Sequence, residues 1–279
     1  MSEVFTPLQQ AILAGIFGLL IGSFLNVCIY RWPRDLSVVS PRSRCPSCET
    51  TIAWYDNVPV LSWILLRARC RNCGAAISAR YAFVEALTAA CFFWICRSGG
   101  IAPDTLKSCL FVSMLIGLVF SDLETLLLPD QFTIGGFWIG LVLSAFIPVS
   151  DSIFATVAAL AGYAPGPRVA AVGESAMGGL LPAAIFWFLG WAFEKLRHKE
   201  GLGFGDVKMI AMIGAFLGLR GALLSIVLAS VTGSVFGLAW IVATRKDAST
   251  YQLPFGSFLG AGAILTVLAG QDWYWRLFL

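Results

Sequence analysis

Charge is scarce in this sequence. Asp, Glu, Lys and Arg make up 13% of the 279 residues, whereas 58% are hydrophobic and the mean hydropathy is +0.81. So much apolar surface excludes a single soluble core and implies a polytopic membrane protein. Histidine is nearly missing: His198 stands alone within the basic run 194–199, where a solvated loop position is the plain reading, so it gives no basis for a Ser-His-Asp or Cys-His triad. No basic segment precedes the first apolar run, which follows Ser2, Glu3 and Thr6, and the first helix is therefore expected to be retained rather than cleaved. No Gly-x-Gly-x-x-Gly follows a predicted strand, so no dinucleotide-type unit is read. The net charge of +3 makes no case for a nucleic-acid partner. No internal repeat or low-complexity tract is evident.

What the chain does have is a series of long apolar runs. Residues 8–30 read as a first spanning helix, stopped at Arg31, Trp32, Pro33 and Arg34. Between Arg31 and Arg80 eight arginines face only Asp35, Glu49 and Asp56, which by the positive-inside rule places this segment in the cytoplasm and Met1 outside. Apolar segments at 81–97, 105–121, 131–149, 176–194, 207–219, 221–243 and 254–271 bring the expectation to about eight transmembrane helices. Alternation puts 194–199 and Arg245-Lys246 inside. It puts Pro103-Asp104 and the Gly/Pro/Ala-rich linker 161–173 outside. The apolar patch 153–163 is too short to span and reads as a helix extension or an interfacial segment. Gly214, Gly218, Gly221, Gly256, Gly260 and Gly262 suit close helix packing in lipid. Trp32, Trp191 and Trp273 sit near helix ends as interfacial anchors. The fold class is thus all-α, with a first helix (1–30), a small cytoplasmic domain (31–80) and a seven-helix membrane domain (81–279).

In the cytoplasmic segment, Cys45-x-x-Cys48 and Cys70-x-x-Cys73 form two knuckles separated by 21 residues, one beyond the usual range of a ribbon-like zinc site. Four thiolates so arranged make a closed, structural Zn²⁺ site that supplies folding energy to a loop too small to hold itself. Two disulfides are the competing reading, and a reducing cytoplasm argues against them. Cys28, Cys91, Cys96 and Cys109 lack such spacing and read as small buried hydrophobes.

Two acids stand at the edge of apolar helices. Asp206 follows Gly203, Phe204 and Gly205 at the mouth of one such helix, where an ionised carboxylate costs several kcal/mol unless it is paired, wetted or neutralised. Helix capping is one reading of it and catalysis is the other. Loop parity places Asp122 on the same face, with Glu124 and Asp130 nearby; Asp130 reads as a cap or helix start and Glu124 as a surface group. Two carboxylates brought together share a proton. One then serves as base on a water while the other polarises a carbonyl, which is aspartic-protease chemistry. A proton- or cation-coupled transporter or channel is the rival explanation of such acids, although both lie at the cytoplasmic rim and not near the bilayer midplane. A zinc-bearing adaptor without chemistry leaves both aspartates unexplained.

Together these residues resemble the type 4 prepilin leader peptidases, bifunctional enzymes of bacterial inner membranes. The resemblance is carried by Gly22 to Arg31, Cys45 to Cys48, Trp54 to Trp63, Arg67 to Cys73, Ile77 to Tyr81, Asp122 to Asp130, Gly203 to Lys208 and Pro254 to Gly256. It implies cleavage of the basic leader of a prepilin or pseudopilin after a glycine, on the cytoplasmic side, followed by methylation of the new N-terminal residue from S-adenosylmethionine. It also implies that Asp122 and Asp206 are the catalytic pair, the second within a Gly-x-Gly-Asp signature. The family commonly has glycine where this chain has Ala68, and the stretch around Tyr163 to Glu174 is longer than usual. The S-adenosylmethionine site and the oligomeric state are not legible in the sequence.

Overall fold

In a computed structural model, residues 5–148, 152–197, 203–244 and 254–270 are described. His198, Gly201, Arg245, Lys246 and Trp273 lie outside them. The chain divides into two compact units, Met1–Gly117 and Leu118–Leu279.

In the first unit, helix α1 (Pro7–Arg31) opens with a capping box: Thr6 and Gln9 satisfy each other's backbone N–H, and Pro7 takes the first helical position. A 3-10 turn (Trp32–Arg34) ends it. The segment that follows carries a second 3-10 turn (Trp54–Asn57) and the short α2 (Leu61–Leu65). Helix α3 (Ala79–Gly99) is capped by Ser78 and packs along α1. The contact is backbone to backbone: a Cβ on Gly22 would lie 2.6 Å from Cα of Glu85, so no larger residue fits there. Helix α4 (Pro103–Thr125) contains the boundary between the units.

In the second unit, Leu126 adopts a left-handed conformation (φ 54°) and turns the chain out of α4, and Pro129 leads into α5 (Asp130–Ser144). Helix α6 (Ile153–Leu160) is eight residues long, about 12 Å, and too short to span, as expected for that patch. Helix α7 (Pro167–Arg197) starts earlier than hydropathy indicates. Residues 167–173, expected in an outer linker, are its first two turns, because Pro167 is suited to a helix start. Among the described residues, α1 with its terminal turn, α3, α4, α7 and α8 (Phe204–Thr244) are long and apolar enough to cross a membrane; α9 (Phe255–Ala269) is a shorter apolar helix.

A straight helix of the 41 residues of α8 would run about 60 Å, twice the hydrocarbon thickness. It reverses instead. Gly218 has φ 71° and ψ −176°, a conformation open to glycine, and it separates legs 204–217 and 219–244. The second leg runs antiparallel to α9, with Ser225 against Thr266 and Phe236 against Phe258. Each of the eight apolar segments thereby has a helical counterpart, 207–219 and 221–243 being the two legs.

The reversal is held by a residue the sequence reading passed over. Glu174, 1% exposed, accepts a hydrogen bond from Leu219 N–H at the start of the second leg (2.9 Å) and another from Phe154 N–H at the start of α6 (2.8 Å). A buried carboxylate is tolerated there because two helix N-termini supply the donors.

Helix α7 meets the first leg of α8 through glycine on glycine, and Ser175 Oγ donates to the Ala215 carbonyl at 2.7 Å. A Cβ on Gly214 would overlap the Gly178 carbonyl, and backbone cannot step aside as a flexible side chain does. Gly214→Ala is expected to lower stability by about 3 kcal/mol or more, read as a fall in the thermal midpoint of the detergent-solubilised protein. A midpoint equal to the parent's would show that the two helices do not approach this closely.

Candidate active site and metal centre

Asp122 lies one turn from the end of α4 and is 5% exposed. Its Oδ2 accepts two hydrogen bonds from α9: the Ser257 backbone N–H at 2.7 Å and the Ser257 hydroxyl at 2.8 Å. Gly256 allows this approach, since a Cβ there would lie 3.1 Å from the same oxygen. Asp206, half-buried in the first turn of α8, lies within electrostatic reach of Asp122. Leu128 packs against both Gly205 and Gly256, so the α4–α5 turn, the head of α8 and the head of α9 share one end of this unit. The two aspartates expected to act together are therefore brought together.

The neighbouring acids differ from expectation in one respect. Asp130 does start α5, but its carboxylate is more than a cap: Lys208 Nζ pairs with its Oδ1 at 2.6 Å. The pair ties the beginning of α5 to the turn that carries Asp206. Glu124 is exposed, as a surface group should be. Ser257 was not singled out from sequence, and no local pattern marks it; its role appears only when α9 is placed beside α4.

In the other unit, Sγ of Cys45, Cys48, Cys70 and Cys73 all lie within 4.8 Å of one another, and Cys45 and Cys73 are 3.8 Å apart. A tetrahedral site with Zn–S bonds of about 2.3 Å has S–S edges of about 3.8 Å, so the four thiols fit a single Zn²⁺. Asn72 Nδ2 donates to Cys48 Sγ (3.6 Å), and Thr50 Oγ1 is 3.4 Å from the same sulfur. The Thr50 hydroxyl and then the Asn72 amide pull the Cys48 thiol down to about 6, and backbone N–H groups of Cys73 and Asn72 lower that of Cys70. Cys28, Cys91, Cys96 and Cys109 are buried, as small hydrophobes should be.

The knuckles correct the expectation that the chain holds no internal repeat. Residues 44–52 and 69–77 share Arg-Cys-x-x-Cys-x-x-x-Ile and fold alike. In each, the arginine bridges to a residue seven places on, Thr51 or Ala76, and the first cysteine's N–H donates to Thr50 O or Ala75 O. In each, the residue after the second cysteine has positive φ, Glu49 at 55° and Gly74 at 72°. Nine residues with only four matches fall below what composition or periodicity reveals. Arg71 holds the second hairpin to the Trp54–Asn57 turn through a bidentate pair with Asp56, at 2.7 Å for the shortest contact, and the Asp56 carboxyl is held below its ordinary range by that guanidinium.

The same segment and the end of α1 line an open pocket of about 290 Å³, with Val27, Arg31, Arg42, Ile52, Trp54 and Asn57 among its walls. It offers a ring face and two cations but no carboxylate for the ammonium and sulfonium of S-adenosylmethionine. These residues do not make a fit for that cofactor.

Ala68, where glycine is common in the resembled family, has φ 55°, and its carbonyl accepts from Ile77 N–H at 2.7 Å just ahead of the second knuckle. An alanine held left-handed costs about 1 kcal/mol. Ala68→Gly is expected to raise stability by about that amount, read as a higher thermal midpoint in detergent; a lower midpoint would show that the side chain matters more than the backbone strain.

Two family models match the chain: the bacterial peptidase A24 N-terminal domain over residues 16–98 and the type IV leader peptidase family over 109–238. A prepilin leader peptidase/N-methyltransferase of Aeromonas salmonicida is 34% identical, over 93% of this chain and 91% of the relative. One of Myxococcus xanthus is 41% identical, over 85% of this chain and 64% of the relative. A type 4 prepilin-like proteins leader peptide-processing enzyme of Escherichia coli is 34% identical, over 94% of each. No solved structure matches. With likeness of this depth running nearly end to end through both the cysteine knuckles and the aspartate-bearing helices, the chain belongs to the type IV leader peptidase family.

Proposed function

We propose that this chain is a bifunctional inner-membrane enzyme that cleaves the leader of type IV prepilins or pseudopilins after glycine and then methylates the new N-terminal residue from S-adenosylmethionine. The observation that carries the peptidase half is the meeting of Asp122 and Asp206 at one end of packed apolar helices, in a chain whose relatives are named for leader processing. Asp122 and Asp206 share one proton; the ionised acid draws a proton from water and the protonated one hydrogen-bonds the scissile carbonyl. The arginine-rich 31–80 segment and the loop parity of the sequence support a working face in the cytoplasm, where a short basic leader is presented. Methyl transfer is assigned on family grounds to the segment 31–80, and no step of it is derived from these residues. The transporter or channel reading finds no support in the relatives.

Asp122→Asn and Asp206→Asn are each expected to abolish cleavage of a prepilin-like peptide by purified protein, with the double variant no worse than either. Asp130→Asn is expected to retain most activity, because an ion pair this exposed contributes about 1 kcal/mol or less, and so is Glu124→Gln. Methylation of a pre-cleaved peptide is expected to survive both aspartate variants. Normal leader cleavage by Asp206→Asn would remove the two-aspartate mechanism; lost methylation on pre-cleaved peptide would show that the two activities share one site.

The knuckles are assigned a structural Zn²⁺ held by Cys45, Cys48, Cys70 and Cys73. Elemental analysis of the purified chain is expected to give about one zinc per molecule, lost together with stability in Cys45→Ser. A metal-free preparation that is folded and active would exclude that role.

A further inference from the structure

Ser257 touches Asp122 but has no part in the two-aspartate chemistry as proposed so far; it lies past the stretch matched to the leader peptidase model and just beyond the Pro254 to Gly256 motif. Its hydroxyl lies 2.8 Å from Oδ2 of Asp122 and 3.1 Å from the carbonyl of Val119, one turn earlier on α4. A hydroxyl has one proton and accepts through its lone pairs, so it cannot donate to both oxygens at once. The arrangement therefore has two settings. When Asp122 is ionised, the hydroxyl donates to Oδ2 beside the Ser257 backbone N–H, which donates at 2.7 Å. When Asp122 carries a proton on Oδ2, the carboxyl donates to Ser257 Oγ, and the hydroxyl turns its own proton to Val119. Neither setting strands Oδ2, which matters for a side chain only 5% exposed.

Asp206 has no such support. Among the described residues no donor reaches its carboxyl group, and the charged group acting on it is Asp122. Among the described residues, the other titratable groups near this end are Asp130 and Lys208, which pair with each other, and exposed Glu124; α9 carries none. Of two acids sharing a proton, the one that receives two hydrogen bonds is the better seat for the negative charge.

We infer that Ser257 is a positioning residue for peptide hydrolysis: it holds Asp122 by Oδ2 in either protonation state, which makes Asp122 the base and Asp206 the acid. The inference rests on the two-aspartate reading above. Asp122 takes a proton from water as the water oxygen bonds to the carbonyl carbon, and Asp206 gives its proton to the carbonyl oxygen, forming a gem-diol. On collapse, Asp122 passes its proton to the leaving nitrogen as the C–N bond breaks, and one diol hydroxyl returns a proton to Asp206. Both acids end as they began. Asp122 changes state twice in each cycle at Oδ1, the oxygen that no donor among the described residues reaches, while Ser257 keeps Oδ2 in place throughout, with no movement of helix α9.

The test uses the full-length, zinc-loaded protein in detergent and a prepilin-like peptide. Ser257→Ala keeps the backbone donor and loses the hydroxyl; kcat is expected to fall about ten- to hundredfold with KM unchanged. Ser257→Cys keeps the volume with a weak donor and is expected to fall with it, so that lost packing is not the cause. Ser257→Thr keeps the hydroxyl and is expected to recover kcat to within about threefold of the parent. Parent-like kcat in Ser257→Ala or Ser257→Cys, with Asp122→Asn and Asp206→Asn inactive, overturns the role of Ser257 and leaves the dyad standing. Ser257→Thr as slow as Ser257→Ala overturns it too. Cleavage by the aspartate variants themselves removes the reading on which it rests.

Discussion

A backbone that reverses inside an apolar bundle must find partners for the N–H groups it frees, and at Gly218 that requirement falls on Glu174. Without the reversal the 41 residues of α8 form one rod, and the second leg has no place beside α9. With it, α9 lies against residues 225–236 and presents its first turn to Asp122. The geometry of the acidic site is thus set at the opposite end of the same helices, by one carboxylate and one glycine. The close contact of Gly178 with Gly214 keeps α7 against the first leg, and so keeps Glu174 within reach of Leu219.

The three buried or half-buried carboxylates near this unit's bends differ because their surroundings differ. Glu174 is saturated by donors from two helix starts and has no partner acid, so it is locked and structural. Asp122 is held at one oxygen only, and among the described residues no donor reaches the other. Among the same residues Asp206 is held at neither. Incomplete satisfaction is costly in a folded core, and it leaves carboxylate oxygens open to proton exchange, as the proposed mechanism requires. Lys208 sits two residues from Asp206 but spends its charge on Asp130, so it anchors the turn without forming an ion pair with the acid.

How much of this was legible in the sequence depends on how far apart the partners are. The eight apolar segments are local patterns, and each returns as a helix or a leg of one, including the separation of 207–219 from 221–243. The cysteine knuckles are nearly local, and their spacing sufficed to bring four sulfurs together. The start of α7 was misplaced because 161–173 is rich in Gly, Pro and Ala, and the proline that reads as a breaker is here the first residue of the helix. Glu174 gave no signal, since its partners are 20 and 45 residues away and a lone acid in an outer stretch resembles a solvated one.

Ser257 is the limiting case. Its partner is 135 residues distant, and serine near a helix start is ordinary as a cap. Asp122 and Asp206 could be paired in advance because carboxylates at the edge of hydrocarbon demand an explanation, and each supplies the other's. A hydroxyl makes no such demand; it is inexpensive wherever it finds one acceptor. Costly groups therefore announce a site from sequence, while the inexpensive groups that hold them in position become visible only when distant helices are set side by side. A pair of acids can be read from the chain, but the hydrogen bonds that make its two members unequal come from neighbours that cannot.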